Sequence, residues 1–258
     1  MMPGSNSAEL QEVFIDGDTG DRGLVSAASA LAMVQTLLRN RFAGKPVRIY
    51  EAGGGAVSYL PPEVLRNAEI TVVDIDETQL RNNQYARSKI CGDIQTEQFP
   101  PDSFDLVVCY NVIEHIERPD RAVDRFLEAL APGGLVFIAA PNPYSLSGLV
   151  TRFTPHWFHV WFYRVALGRK DAGRPGHAPF PVVYHPLVVP RRLIEFCRAR
   201  GCRIVYFREF ETSHLGTLRN ARPVAAKVLD ALARGLELIL RRSLRLGDFH
   251  ILIERPPQ

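Results

Sequence analysis

The spacing of apolar residues changes several times along this chain, and each change marks an element. From Leu24 to Phe42 the apolar positions Leu24, Ala28, Leu31, Val34, Leu37 and Leu38 recur at helical spacing. Gly44 and Pro46 stop the helix they predict. Short, nearly unbroken apolar runs follow at Val47–Tyr50, Ile70–Val73, Phe104–Cys109 and Leu135–Ala140. Helix-like text lies between them at Pro61–Asn67, Glu77–Arg87 and Asp120–Leu130. Strands that are apolar throughout, alternating with helices, are strands covered on both faces, which is the pattern of a parallel sheet. The fold class this predicts is α/β, a doubly wound and mostly parallel sheet.

Beyond Asn142 the rhythm breaks. Residues 142–189 carry Pro143, Pro155, Pro175, Pro179, Pro181 and Pro186 among aromatics and histidines. A stretch of this length between regular elements reads as a lid or binding loop. A helix at Pro190–Arg200 and a strand at Arg203–Phe207 resume the pattern. Val224–Arg242 is amphipathic, with Val224, Val228, Leu229, Leu232, Leu236, Ile239 and Leu240 on one face. Phe249–Ile253 makes the last strand. Counting Ser88–Cys91, the sheet has seven strands. The organisation expected is an N-terminal arm and helix over residues 1–44, then a main domain over 45–258. That domain carries a helical and aromatic lid at about 144–189 and a helical insertion at about 212–247.

Composition narrows the function classes. With 46% apolar and 23% charged residues the chain supports a core. No run of about 18 apolar residues suggests a membrane span, and the start lacks a basic segment followed by an apolar one, so a cytoplasmic location is expected. The four cysteines, Cys91, Cys109, Cys197 and Cys202, form no C-x-x-C pair, so neither a zinc site nor a disulfide framework is expected. The net charge of +3 comes without a basic domain, so no nucleic-acid partner is expected. Only four of the 31 basic residues are Lys, and that excess of Arg suits phosphate or carboxylate recognition, although coding bias alone also produces it.

Ligands of open α/β sheets bind at the carboxyl ends of the strands, where strand order reverses. The first such loop reads Glu51-Ala52-Gly53-Gly54-Gly55, in which glycine admits positive φ and close backbone approach. A tight turn alone accounts for it equally well. The second strand ends in Asp74-Ile75-Asp76, where Asp74 suits ribose hydroxyls and Asp76 suits the N-cap of the following helix. Gly92-Asp93-Ile94 sets a carboxylate and an apolar side chain beside a purine, or makes a turn. Asn111-Val112-Ile113-Glu114-His115-Ile116 follows the strand Phe104–Cys109 and faces the same cleft.

Together these four signals resemble the class I S-adenosylmethionine-dependent methyltransferases, in their small-molecule branch. The resemblance runs from about Arg48 to Pro143 and thinly over the last two strands. It implies that Glu51, Gly53 and Gly55 meet the methionine part of the cofactor, that Asp74 with Ile75 holds the ribose, and that Asp93 and Ile94 contact the adenine. Asn111 and its neighbours would line the methyl-transfer centre, and Ala131-Pro132-Gly133-Gly134 matches the turn before the fifth strand. Val57 stands where the family has a third glycine. The cofactor implied is S-adenosyl-L-methionine; no metal is implied.

A methyl group on a sulfonium is already activated, so a base matters only when the acceptor must lose a proton. His115 is the candidate base, with the alternative that it orients Glu114 or the backbone. In the lid, Trp157 and Trp161 fall on one helical face, and they and Tyr184 are candidates to cover an apolar acceptor. Arg152, Arg164, Arg169, Lys170 and Arg174 could rim that pocket or meet anionic headgroups in a peripheral membrane contact. The function expected is methylation of a small, hydrophobic molecule, with O-methylation favoured. A cofactor-binding fold without catalysis and an NAD(P)-dependent oxidoreductase are the alternatives. The latter wants G-x-G-x-x-G where this chain has Gly53-x-Gly55-x-x-Ser58.

Overall fold

The apolar runs form the middle of one sheet, in a computed structural model that describes residues 13–14, 25–165, 168–174, 179–212, 219, 223–240 and 244–256. Within these, residues 13, 14, 225, 226, 229, 236 and 238–240 are described by backbone alone. The expectations for most of the N-terminal arm, for His177, for the rest of the 212–247 insertion, and for the side chains of Leu229, Leu236, Ile239 and Leu240 lie outside the described residues.

In chain order the strands are β1 (Val13–Phe14), β2 (Val47–Ala52), β3 (Ala68–Asp74), β4 (Ser88–Cys91), β5 (Phe104–Tyr110), β6 (Leu130–Pro141), β7 (Arg203–Glu211) and β8 (Leu246–Glu254). Their order across the sheet is β1-β7-β8-β6-β5-β2-β3-β4. Seven of these are the strands expected; the eighth, β1, comes from the N-terminal arm and adds two residues in parallel to β7. Only β8 runs against the others, pairing antiparallel with both β6 and β7. Strand order reverses between β2 and β5, the inner pair of the sheet.

Helices cover both faces. On one side α1 (Ala27–Phe42), α2 (Pro62–Leu65) and α3 (Glu77–Asn82) bury Val34, Leu38, Phe42, Val64 and Leu80 against Ile49, Leu106 and Phe137. The buried stripe of α1 is Ala30-Val34-Leu38-Phe42, a strict fourfold spacing, whereas Ala28 is exposed. On the other side α4 (Pro119–Ala129) and α7 (Pro190–Arg198) bury Phe126, Leu193, Ile194 and Cys197 against Tyr50, Val107 and Ile138. Tyr50 anchors this face, with Phe99, Phe104 and Phe126 at ring-centroid distances of 5.0, 5.4 and 5.7 Å. The four cysteines are free thiols, as expected from their spacing.

Two boundaries differ from the sequence pattern, each for a local reason. The helix expected over Glu77–Arg87 ends at Asn82, because the buried Asn83 turns its side-chain oxygen back to the N–H groups of Tyr85 and Ala86. The turn expected at Ala131–Gly134 lies within β6 as a break in register, with Phe104 opposite Leu130 but Leu106 opposite Leu135. The lid carries two helices, α5 (Leu146–Phe153) and α6 (His156–Val165). The last helix, α8 (Pro223–Leu240), leaves Val224, Val228 and Leu232 exposed.

Phe126 is fully buried where α4 meets Tyr50. Phe126→Ala is expected to destabilise the fold by about 3–5 kcal/mol, through lost transfer energy and the cavity left behind. Denaturant unfolding of the two proteins checks this.

Candidate cofactor and methyl-transfer site

The carboxyl end of β2 turns sharply because two glycines take positive φ, Gly53 at +69° and Gly55 at +53°. A Cβ on Gly53 would lie 2.5 Å from a Val112 methyl carbon, so the loop passes too close to the turn after β5 for any side chain. The Gly53 N–H donates to the Val73 carbonyl at 2.7 Å, which ties the loop to β3.

Beneath the loop lies Glu51, almost wholly buried. Its Oε1 accepts from the Ser58 hydroxyl and its Oε2 from the Tyr85 hydroxyl at 2.5 Å. Burial pushes the Glu51 carboxyl upward, and the two hydroxyl donors oppose that shift. Ser58 closes the loop on one side and Tyr85, from the segment after α3, closes it on the other. Both Glu51 oxygens are thus engaged by the protein, so Glu51 shapes the loop that the resemblance assigns to the cofactor.

Asp74 ends β3 and holds the loop from its other flank. Its Oδ2 accepts from the Gly55 N–H at 2.9 Å and its Oδ1 from the Asp76 N–H at 2.8 Å. Each oxygen keeps a further lone pair, enough for ribose hydroxyls. Asp76 caps α3 as its position suggested, accepting from the N–H groups of Thr78 and Gln79. Ile75 projects between the two carboxylates with 78% of its surface exposed, an apolar side chain beside the cleft with nothing of the protein over it. Asn83, unmarked by any sequence signal, completes the frame by donating its side-chain N–H to the Gly55 carbonyl at 2.7 Å.

Gly92-Asp93-Ile94 forms a turn. Gln95 donates its side-chain amide to both Asp93 oxygens, at 3.0 and 2.9 Å, and Ile94 is buried in the core. Asn111 takes a positive φ of 55° at the end of β5 and donates its backbone N–H to the Ala139 carbonyl. Between β2 and β5 a small cleft is lined by Glu51, Gly53, Gly54, Val57, Tyr59 and Tyr110, among others. Tyr59 stacks on Tyr110 at 3.9 Å with ring planes 13° apart, a wall that sequence reading missed because the partners are fifty-one positions apart. Two positive-φ glycines, a backbone with no room for side chains, a strand-tip carboxylate and an exposed Ile together fit a nucleoside cofactor lying across the strand ends.

Beside this cleft a short 3₁₀ turn, Ile113–His115, meets the returning limb of the lid. His115 Nδ1 is 2.7 Å from the Pro181 carbonyl, and the Val183 N–H donates to the Glu114 carbonyl at 2.8 Å. A carbonyl only accepts, so Nδ1 carries the proton and neutral His115 has its free lone pair on Nε2. That nitrogen is 3.6 Å from Glu114 Oε1. Burial holds the imidazole below its ordinary value, and the Pro181 contact partly offsets this. Glu114 is buried with Oε2 unpaired, and burial pushes its carboxyl up to about 8. Asp248, at the start of β8, is pushed up to about 7 for the same reason.

The lid residues divide. Tyr184 turns inward, its hydroxyl buried without a partner and its ring under the Arg152 guanidinium at 5.6 Å. Trp157 and Trp161, both on α6, are 69% and 50% exposed. Among the described residues no helix is long and apolar enough to cross a membrane.

Comparison with known proteins agrees with this geometry. Residues 50–138 match the family described as a methyltransferase domain. A ubiquinone biosynthesis O-methyltransferase of Azoarcus sp. (strain BH72) is 27% identical over 172 residues, 63% of this chain and 66% of that protein. One of the same name from Idiomarina loihiensis is 32% identical over 108 residues, 38% of this chain and 43% of that one. The chain thus spans less than two thirds of these relatives' length. A solved S-adenosylmethionine-dependent methyltransferase from Mesorhizobium loti superposes with a TM-score of 0.51 at 16% identity, covering 85% of this chain and 96% of that one, which shows the shared fold. Residues 50–138 are thus a methyltransferase domain, on the fold of the class I S-adenosylmethionine-dependent methyltransferases. Its cofactor is S-adenosyl-L-methionine rather than a dinucleotide; Ser58, standing at the dinucleotide fingerprint's third glycine, is instead a hydrogen-bond donor to Glu51.

Two outcomes follow from this site. Asp74→Ala is expected to weaken S-adenosylhomocysteine binding by about 1.5–3 kcal/mol, the range for charge-assisted bonds, whereas Asp76→Ala loses only a helix cap, about 1 kcal/mol of stability. Titration calorimetry and thermal melts separate the two. The second concerns Glu114, whose raised value favours its neutral form in the fold. Its contribution is therefore full below its ordinary value near 4.5 and is lost as pH rises through about 8. Glu114→Gln, permanently neutral, should gain melting temperature relative to the parent between pH 5 and 8.5; a constant difference would contradict a buried neutral carboxyl.

Proposed function

We propose that the enzyme O-methylates a small, apolar molecule bearing a hydroxyl, and that His115 receives the hydroxyl proton. The observation that carries this reading is the seam between the turn Ile113–His115 and the lid. Glu114 Oε2 is buried there unpaired, beside an imidazole whose Nε2 is free to accept, and the lid limb also carries Tyr184, whose hydroxyl is buried unpaired as well. Unpaired buried polar groups are unfavourable unless a ligand satisfies them. Apolar groups line the same seam: Phe180 faces His115 at 5.9 Å, and Val183 continues the limb. Such a pocket selects an apolar body with a polar handle.

S-adenosylmethionine supplies the activated methyl group when bound. The chain's own part is to fix the acceptor oxygen, exclude water and remove a proton. Pro181 fixes the tautomer and orientation of His115; the low basicity imposed by burial keeps Nε2 unprotonated near neutral pH. Glu114, itself neutral there, lies beside that nitrogen, with Oε1 3.6 Å from Nε2. The relatives named as O-methyltransferases support the choice of oxygen. The modest net charge supports a small molecule over nucleic acid. Trp157 and Trp161 stand outside this pocket, and Tyr184 is the lid residue that would meet the acceptor.

An acceptor panel of phenols, catechols, amines and carboxylates, read by S-adenosylhomocysteine release, tests the class. Phenolic turnover is expected; turnover of amines alone would refute it. With an accepted phenol, kcat/KM should fall below an acid limb lying under pH 6.5, and His115→Gln should remove that limb and lower kcat about 10²–10⁴-fold. Cofactor binding should be unchanged in that variant.

A further inference from the structure

We propose that the α5–α6 hairpin is a docking surface for an anionic lipid bilayer, on which the enzyme lies peripherally. The inference goes beyond the acceptor reading and rests on different residues. Neither helix has a fully buried residue, although both are rich in large apolar side chains. Phe153 is 78% exposed, and Val150, Trp157, Trp161 and Val165 are open to solvent as well. The rings form one cluster, with Phe158 at 6.2 Å from Trp157 and 5.6 Å from Trp161. An apolar surface of this kind marks an interaction site.

Charge identifies the occupant. Residues 144–189 hold Arg152, Arg164, Arg169, Lys170 and Arg174 against a single acid, Asp171, which is itself paired with Arg174 at 2.5 Å. Two of the cations border the aromatic surface directly: Arg152 lies over the Phe153 ring at 5.9 Å and Arg169 over the Tyr163 ring at 5.4 Å. Trp and Phe beside Arg is the combination that settles at the headgroup level, the rings among the acyl chains' upper carbons and the cations at phosphate. A second copy suits this face poorly, because twofold pairing would set the same uncompensated cations against one another. At eight and ten residues, α5 and α6 lie on a bilayer and do not cross it. The placement also puts the lid where an apolar acceptor would be dissolved.

Trp157 and Trp161 are the only tryptophans in the chain, so its intrinsic fluorescence reports on this face alone. The full chain should show a blue-shifted emission and should sediment with vesicles of equal parts phosphatidylglycerol and phosphatidylcholine. Neither should occur with phosphatidylcholine alone, and raising salt should reverse both. Trp157→Ser with Trp161→Ser should reduce sedimentation at least tenfold, while S-adenosylhomocysteine binding and the thermal melt stay as in the parent. Unshifted emission with anionic vesicles would overturn the proposal. So would undiminished sedimentation of the double variant, or a dimer in light scattering that the double variant abolishes, which would assign the face to a second copy. No acceptor or turnover enters these measurements, so they stand or fall apart from the O-methylation reading.

Discussion

A carboxylate buried at the end of a parallel strand is the constraint on which the cofactor side of this enzyme depends. Glu51 lies under the glycine loop with both oxygens hydrogen-bonded, and burying that group without its donors would be strongly unfavourable. Its donors come from opposite sides, Ser58 from the loop's exit and Tyr85 from beyond α3. Satisfying one side chain therefore sets the path of two chain segments. Asp74 and Asn83 then pin Gly55 from both of its backbone groups, the N–H and the carbonyl. The result is a turn whose shape is settled before any ligand arrives, and preorganisation of that kind reduces what binding must spend on ordering.

How far this was legible in the sequence follows from whether a feature is local. Apolar runs and the glycine cluster are local, so the strands and the loop at Gly53–Gly55 could be read directly, whereas the order of the strands could not. Asp76 as a cap and Asp74 as the remaining carboxylate were legible because both functions depend on near neighbours. The frame around them was not. Tyr85 stands thirty-four positions from Glu51, and Asn83 is helical by spacing until its side chain is seen bonding its own backbone. The two-residue strand β1 carries no periodicity that could announce it. Nothing local announces that Glu114 is buried; the lid limb at Pro181–Tyr184 meets its turn from sixty-odd positions away.

The two halves of the site are built to different rigidity. The cofactor-side carboxylates, Glu51 and Asp74, stand on strand ends of the central sheet, packed on both faces by helices. The lid's two helices have no fully buried residue, and among the described residues Leu146 N–H bonds the Leu244 carbonyl at the lid's start, with the Pro181 and Val183 contacts at its return. Segments with little buried apolar surface open at small free-energy cost. A bulky apolar acceptor must pass that boundary, while the cofactor needs a fixed frame for its methyl group.

The same division explains why the catalytic turn sits where it does. Ile113–His115 touches both halves: Val112 packs over Gly53 on one side, and the backbone of Glu114 and the ring of His115 hold the lid on the other. The lid limb gives His115 its tautomer, through Pro181, and is bonded to the backbone of the buried Glu114, through Val183. On the reading proposed above, a base whose tautomer the lid limb sets removes the acceptor's proton at the same boundary where the cofactor frame and the lid meet.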